Sequence, residues 1–165
     1  MAVTTQNSTE YGVGVVNKTR KLLLNEMGGT VKSAFFTCTQ DGAGDATSSV
    51  ALFKLPPGRV RVLMSQSRAY VNWTTASATL DLGWDAYVDL AGDAVAANPD
   101  GLIDGLSVDT VGFQTLEGAI AANLLTGGTY VFESTGGVVI RATSQDTAIV
   151  DLDDLVGYVL YVVES

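Results

Sequence analysis

The chain has 165 residues, of which 47% are hydrophobic and 16% are charged. This composition is typical of a single globular domain rather than a disordered chain, and no apolar run approaches the roughly 20 residues that a membrane helix needs. Eighteen acidic residues outnumber nine basic ones, and the resulting net charge of −9 argues against nucleic-acid binding.

The first 30 residues differ from the remainder of the chain. They begin polar and then reach NKTRKLLLNEMGG without a clear period. We expect residues 1–30 to form an extended N-terminal arm that crosses a neighbouring subunit, with a disordered tail as the alternative. Residues 31–165 form the predicted domain.

Period-two alternation of apolar and polar residues, together with short apolar runs bounded by turn signals, predicts short strands along this domain. They are Val31–Thr39, Val50–Leu55, Arg59–Met64, Arg68–Thr75, Leu80–Leu90, Ser107–Leu116, Tyr130–Ser134, Val138–Thr143 and Val156–Val163. The last is apolar on both faces, which predicts a central strand or a strand at an interface.

Two turn motifs separate neighbouring strands. The PPG turn at 56–58 combines a fixed proline φ with a glycine that tolerates positive φ, and we expect it to close a hairpin over Val50–Met64. The TGG turn at 135–137 predicts a second hairpin in the same way.

The stretch Asp81–Gly105 carries six aspartates and no basic residue. Within Leu80–Leu90 the aspartates take odd positions and apolar residues even ones, which predicts a strand whose aspartates face solvent. A helix is disfavoured because aspartates four residues apart would repel each other. The sequence NPDG at 98–101 then predicts a turn inside a loop over 91–105.

The modest helical stretch GAIAANLL lies within Glu117–Leu125. Many short strands, little helix and 18 glycines predict an all-β fold. A β-sandwich fits best, with a jelly roll as one form of it and a Greek-key barrel as the alternative.

Few residues suggest chemistry. Histidine, the most common catalytic base and transition-metal ligand, is absent. Cys38 is the single cysteine, and its strand position predicts a small buried residue facing the same way as Ala34 and Phe36. We therefore expect no catalytic residue, no cofactor and no resident metal.

Asp93, Asp100 and Asp104 do not match an EF-hand loop, but a non-standard ion site stays open beside the simpler interpretation as solvated turn residues. Trp73 and Trp84 lie on apolar strand faces, which favours core packing over stacking on a sugar ring.

Lys18, Arg20 and Lys21 form the densest basic cluster. Residues 1–68 hold eight basic and four acidic residues, whereas residues 69–140 hold nine acidic residues and no basic one. A solvated surface is the simplest interpretation of the cluster. Contact with an acidic surface of a partner is the alternative.

A series of motifs over about residues 50–163 resembles the small structural proteins of tailed bacteriophages, and among them capsid decoration, or cement, proteins. The series is LPPGRVRVL, TLDLGWDAYVDLAGDAVAANPDGL, TYVFESTGGVVIRAT and VGYVLYVV. The resemblance implies a virion protein without catalytic residues, assembled in the host cytoplasm. Its expected partner is the major capsid protein, on the capsid surface, and its expected state is a homotrimer, with neither nucleic acid nor membrane bound.

An alternative from the same class of virion proteins is a small head-fibre or tail-associated sandwich that binds host glycans. An enzyme ranks a distant third.

Overall fold

The structure is a computed structural model that describes residues 30–42, 44–73, 75–116, 129–145 and 147–164. These residues form eleven strands: β1 (Val31–Thr39), β2 (Ser49–Leu55), β3 (Gly58–Val71), β4 (Thr79–Trp84), β5 (Tyr87–Val88), β6 (Ala94–Val95), β7 (Asn98–Ser107), β8 (Gly112–Thr115), β9 (Tyr130–Ser134), β10 (Val138–Ser144) and β11 (Asp154–Glu164). Residues 1–29 of the predicted arm and the stretch GAIAANLL lie outside the described residues.

The strands build two principal antiparallel sheets. The first sheet has the order β1-β11-β3-β8, with β9 paired to the other end of β3, and the second has the order β2-β10-β4-β7. A small ribbon of β5 and β6 stands apart from both. The predicted all-β sandwich is confirmed in this part of the chain.

The pairing is nested along the sequence. Leaving out β5, β6 and β9, the first long strand pairs with the last, β2 with β10, β3 with β8, and β4 with β7. The chain is therefore arranged as one long antiparallel hairpin that has been wound into two sheets. Strands that follow each other in sequence lie in different sheets more often than in the same one.

The two sheets bury their facing sides in one apolar core. Alternate residues of β3 and β4 point into it, and Val62 and Leu82 have at most 1% of their surface exposed. At one end of the core, the Trp84 ring lies 5.0 Å from that of Tyr130 and 5.3 Å from that of Phe132. Such alternation is what a two-layer sandwich requires of each strand.

Two strand predictions match the structure closely. β1 covers Val31–Thr39 as expected, and the doubly apolar segment Val156–Val163 lies within β11, between β1 and β3. The prediction of a central strand is therefore confirmed, and its two apolar faces have different neighbours, the core on one side and the outer surface on the other.

Neither predicted hairpin exists, although both turns lie between strands. The turn at 56–58 joins β2 of the second sheet to β3 of the first, and the turn at 135–137 joins β9 of the first sheet to β10 of the second. Both hairpin predictions are wrong. A turn motif specifies the local reversal of the chain, whereas pairing here is decided by the need to bury one face of each sheet against the other.

The acidic stretch also departs from expectation. β4 ends at Trp84, so the predicted strand Leu80–Leu90 is only half correct, and β7 begins at Asn98, where a loop was predicted. Pro99 is tolerated because β7 is an edge strand of its sheet. β7 covers part of β4, so Asp81 of β4 does not face solvent.

The predicted strand Arg59–Met64 and the first part of the predicted strand Arg68–Thr75 are two halves of β3, which ends at Val71. Its register against β11 shifts between Leu63 and Arg68, where extra residues bulge out of the sheet. Ser67 is fully buried there: its hydroxyl donates to the Leu63 carbonyl at 2.9 Å and accepts the Leu160 N–H at 3.0 Å. The hydroxyl replaces ladder hydrogen bonds that the bulge removes.

Close contact between β4 and β7 gives a test of the fold. A Cβ at Gly83 would lie 1.9 Å from the Asn98 carbonyl oxygen, so Gly83→Ala must push the two strands apart. We expect a loss of about 2 kcal/mol in the free energy of unfolding, measured by urea denaturation. Gly136→Ala is the control, because its Cβ would meet no atom within 4 Å, and it should change stability by less than about 0.5 kcal/mol. Equal effects of the two substitutions would contradict the β4–β7 pairing.

Candidate interaction surface

Aspartates of the stretch Asp81–Gly105 stabilise the local structure by accepting hydrogen bonds from backbone N–H groups. Asp81 is 5% exposed and its carboxylate accepts the Gly105 N–H at 2.8 Å. Asp89 accepts the N–H groups of Ala91 and Asp93 at 2.9 and 2.8 Å and so closes the turn between β5 and β6. The prediction that the acidic strand faces solvent is wrong for Asp81, because β7 bulges over it at Gly105, where φ is +66°.

Asp85 forms the clearest ion pair of this region. Its two oxygens lie 2.7 and 2.9 Å from Nε and Nη2 of Arg141, a fork-to-fork contact between the end of β4 and β10. The hydrogen bond from Arg141 lowers the pKa of the Asp85 carboxyl below its ordinary value. The pair fastens the loop after β4 to its own sheet.

The proposed ion site does not form. Asp93, Asp100 and Asp104 do not come together, and no group of three acidic, cysteine or histidine side chains able to hold a metal ion occurs in the described ranges. Nor does any helix in them have the length and apolar character to cross a membrane.

The tryptophans belong to the core, as predicted. Trp73 and Trp84 are 5% and 7% exposed, and the indole N–H of Trp84 donates to the Ala96 carbonyl at 3.2 Å. Neither ring is available to stack on a glycan. Cys38 is half-buried rather than fully buried, and it lines a cavity of about 40 Å³ beside Trp73 and Leu155.

The basic cluster Lys18, Arg20 and Lys21 lies outside the described residues. Its contact with a capsid or a subunit therefore stays a prediction.

The outer face of the first sheet carries an apolar surface that the sequence reasoning missed. We name it the aromatic patch: Phe35 of β1, Tyr70 of β3, Phe113 of β8, and Val156 and Tyr158 of β11. In the described chain, Phe35 is 77% exposed and Phe113 is 81% exposed. Sheet register brings the five residues together from four strands.

Two adjacent rows of the sheet form the patch. One row runs Phe35, Tyr158, Arg68 across β1, β11 and β3; the next runs Val156, Tyr70, Phe113 across β11, β3 and β8. The rings of the first row are 5.9 Å apart between Phe35 and Tyr158, and those of the second are 5.4 Å apart between Tyr70 and Phe113. Between the rows lies a groove of about 190 Å³.

Arg68 is the basic residue of this groove. Its Nη1 atom is buried and has no hydrogen-bond partner among the described residues. No acidic residue lines the groove in that part of the chain. The surface therefore combines exposed aromatic rings with a cation that has no carboxylate beside it.

Sequence periodicity did contain one signal for this patch. The doubly apolar segment Val156–Val163 predicted either a central or an interface strand, and the outward half of that pattern includes Val156 and Tyr158. The other three residues come from separate strands, and only the register places them side by side.

Comparison with known proteins gives the fold. No family model and no curated protein matches the chain. A chain of the cyanophage Pam1 capsid asymmetric unit is similar at 16% identity and a TM-score of 0.50, over 82% of this chain and 86% of that one. At this identity the likeness shows the antiparallel sandwich and no more.

Two structures from infectious bursal disease virus match less well. They are the Gx strain, with 9% identity and a TM-score of 0.40, and the VP2 subviral particle, with 10% identity and a TM-score of 0.43. This chain spans 32% and 33% of their lengths. With TM-scores below 0.5 they carry no structural argument.

The Asp85–Arg141 pair gives a test by pH. Because the folded-state pKa of Asp85 lies below its ordinary value of 3.8, its stabilisation is present above that pH and is lost as pH falls below it. The pair is partly exposed, so we expect Asp85→Asn to cost less than about 1 kcal/mol near neutral pH. Urea denaturation at neutral pH and near pH 3 should show the difference from the unsubstituted protein shrinking at acid pH. A difference that grows at acid pH would contradict this account.

Proposed function

We propose that this chain is a capsid decoration, or cement, protein of a tailed bacteriophage. In this role it binds the major capsid protein lattice on the virion surface as a homotrimer and stabilises the head. The observation that carries the proposal is the fold shared with a chain of the cyanophage Pam1 capsid asymmetric unit. The matched span is 82% of one chain and 86% of the other, so the two chains have nearly the same length.

The nested strand order supports a jelly roll as the form of the sandwich. Among the eight long strands in sequence order, the pairs are first with last, second with seventh, third with sixth and fourth with fifth. Winding a long hairpin in this way yields two four-stranded sheets with two Greek keys, the jelly-roll pattern that capsid domains use. A fold of this kind supplies a rigid body with two broad outer faces.

The charge distribution agrees with a body that stays soluble before it assembles. The chain has a net charge of −9, and the repulsion between acidic copies limits their nonspecific clumping. The basic cluster Lys18, Arg20 and Lys21 is opposite in charge to this acidic body. In the proposal the cluster contacts the capsid or a neighbouring subunit. Ordering an arm on binding costs chain entropy, and the large contact area that the arm gains offsets that cost. The role needs no catalysis and no cofactor.

Binding to purified phage heads tests the proposal. The full-length chain should co-sediment with heads, and replacing Lys18, Arg20 and Lys21 by glutamine should weaken that binding because charge-assisted contacts are lost. Removal of residues 1–28 should weaken it further, while far-UV circular dichroism stays that of a β protein.

A matched control replaces Lys32 and Lys54, which lie on described strands, by glutamine. Binding that is absent for the full-length chain would overturn the decoration role. Binding that is equal for the control and the cluster variant would overturn the part assigned to the arm.

A further inference from the structure

We propose that the aromatic patch is the surface through which copies of this chain contact each other, with Arg68 pairing to a carboxylate of the neighbouring copy. The inference deepens the proposed function, since it rests on the homo-oligomer expected there.

The patch exposes a large apolar area. Phe35 and Phe113 are 77% and 81% exposed in the described structure, and Val156 between them is 40% exposed. The two phenylalanine rings alone expose roughly 300 Å². The largest apolar patch on a soluble monomer is commonly of this size or somewhat larger and is often functional.

Arg68 defines what the partner must carry. A buried guanidinium nitrogen without an acceptor costs free energy, and a carboxylate entering the groove can form a charge-assisted bond with the delocalised cation. The exposed rings of Phe35 and Phe113 border the groove. The partner should thus offer apolar side chains next to a carboxylate.

A second copy of this chain has that chemistry. Eighteen acidic residues stand against nine basic ones, and several exposed apolar residues neighbour an aspartate. In the segment after the Ile149 bridge, Val150 is 46% exposed and Leu152 is 69% exposed, with Asp151 between them. The charge of the body thus complements the single cation of the groove.

A stable interface requires more area than the patch alone supplies, which is compatible with the patch forming the centre of a larger contact. A stable interface buries about 800 Å² on each partner. The patch supplies an apolar centre, and the polar strand residues around it, such as Thr37 and Thr115 in the same rows, supply a rim. This division into apolar centre and polar rim is typical of specific interfaces.

Sedimentation equilibrium of the full-length protein tests the inference. The unsubstituted chain should associate, and Phe35→Ser with Phe113→Ser should raise the dissociation constant by about tenfold or more, because exposed aromatic anchors carry most of the energy of such contacts. The matched control is Val88→Ser with Leu90→Ser, which removes two apolar residues that are 46% and 51% exposed and lie off the patch. The control should leave association unchanged.

Arg68→Met separates an interface role from a structural one. In the isolated subunit it removes an unsatisfied buried nitrogen, so thermal stability of the dilute protein should stay equal or rise. Association should nevertheless weaken about tenfold, since the intersubunit bond is lost. Loss of stability without loss of association would overturn the assignment of Arg68.

The outcomes distinguish this inference from the decoration role. If the unsubstituted chain is monomeric at every concentration, or if both double variants associate like it, the patch is not the self-contact. If the patch variants associate normally but fail to bind heads, the patch is a capsid-facing surface and the inference is wrong while the proposed function stands. If the patch variants dissociate but still bind to the heads, both the inference and the proposed function hold.

Discussion

The first sheet depends on the insertion of β11 between β1 and β3. In the described structure β1 has no other sheet partner, and its register with β11 joins Val31 to Val162 across almost the whole domain. Closing so long a loop costs only slightly more entropy than closing a shorter one, because the cost grows with the logarithm of loop length. The buried residues Leu155 and Val159 offset that cost by joining the common core. Formation of the sheet therefore awaits the last strand, and folding should be slow for a chain of this size.

β11, inserted between β1 and β3, contributes residues to both faces of the first sheet. Inward residues of β11 join the core, whereas Val156 and Tyr158 point outward between the aromatic rings of β1 and β8. A strand that is apolar on both sides therefore stabilises the domain with one face and supplies a contact surface with the other. Arg68 on the neighbouring strand adds a cation to that surface, and no acidic side chain among the described residues lines the groove. Stability and recognition thus arise from one element.

Local sequence patterns predicted the positions of the strands better than they predicted which strands pair. Alternation located β1 and β10 and correctly indicated core positions for Trp73 and Trp84, and a run that is apolar on both faces located most of β11. These patterns failed where pairing over long distances decides the structure: the 56–58 turn crosses between sheets, and Asp81 is buried by a strand that begins with the turn-like sequence NPDG. The aromatic patch was beyond such reasoning, because its members share a surface only through register between strands far apart in sequence.

A rigid acidic body with a local apolar surface is well suited to repeated, ordered assembly. The sandwich supplies rigidity, the net charge limits nonspecific clumping, and the proposed patch contact is directional. The most direct test is an electron cryomicroscopy map of the intact virion at a resolution that shows strands. The account predicts a density matching this sandwich on the outer surface of the head, with its copies in contact through the face that carries Phe35 and Phe113. Density for the chain in the tail, or its absence from the particle, would contradict the account.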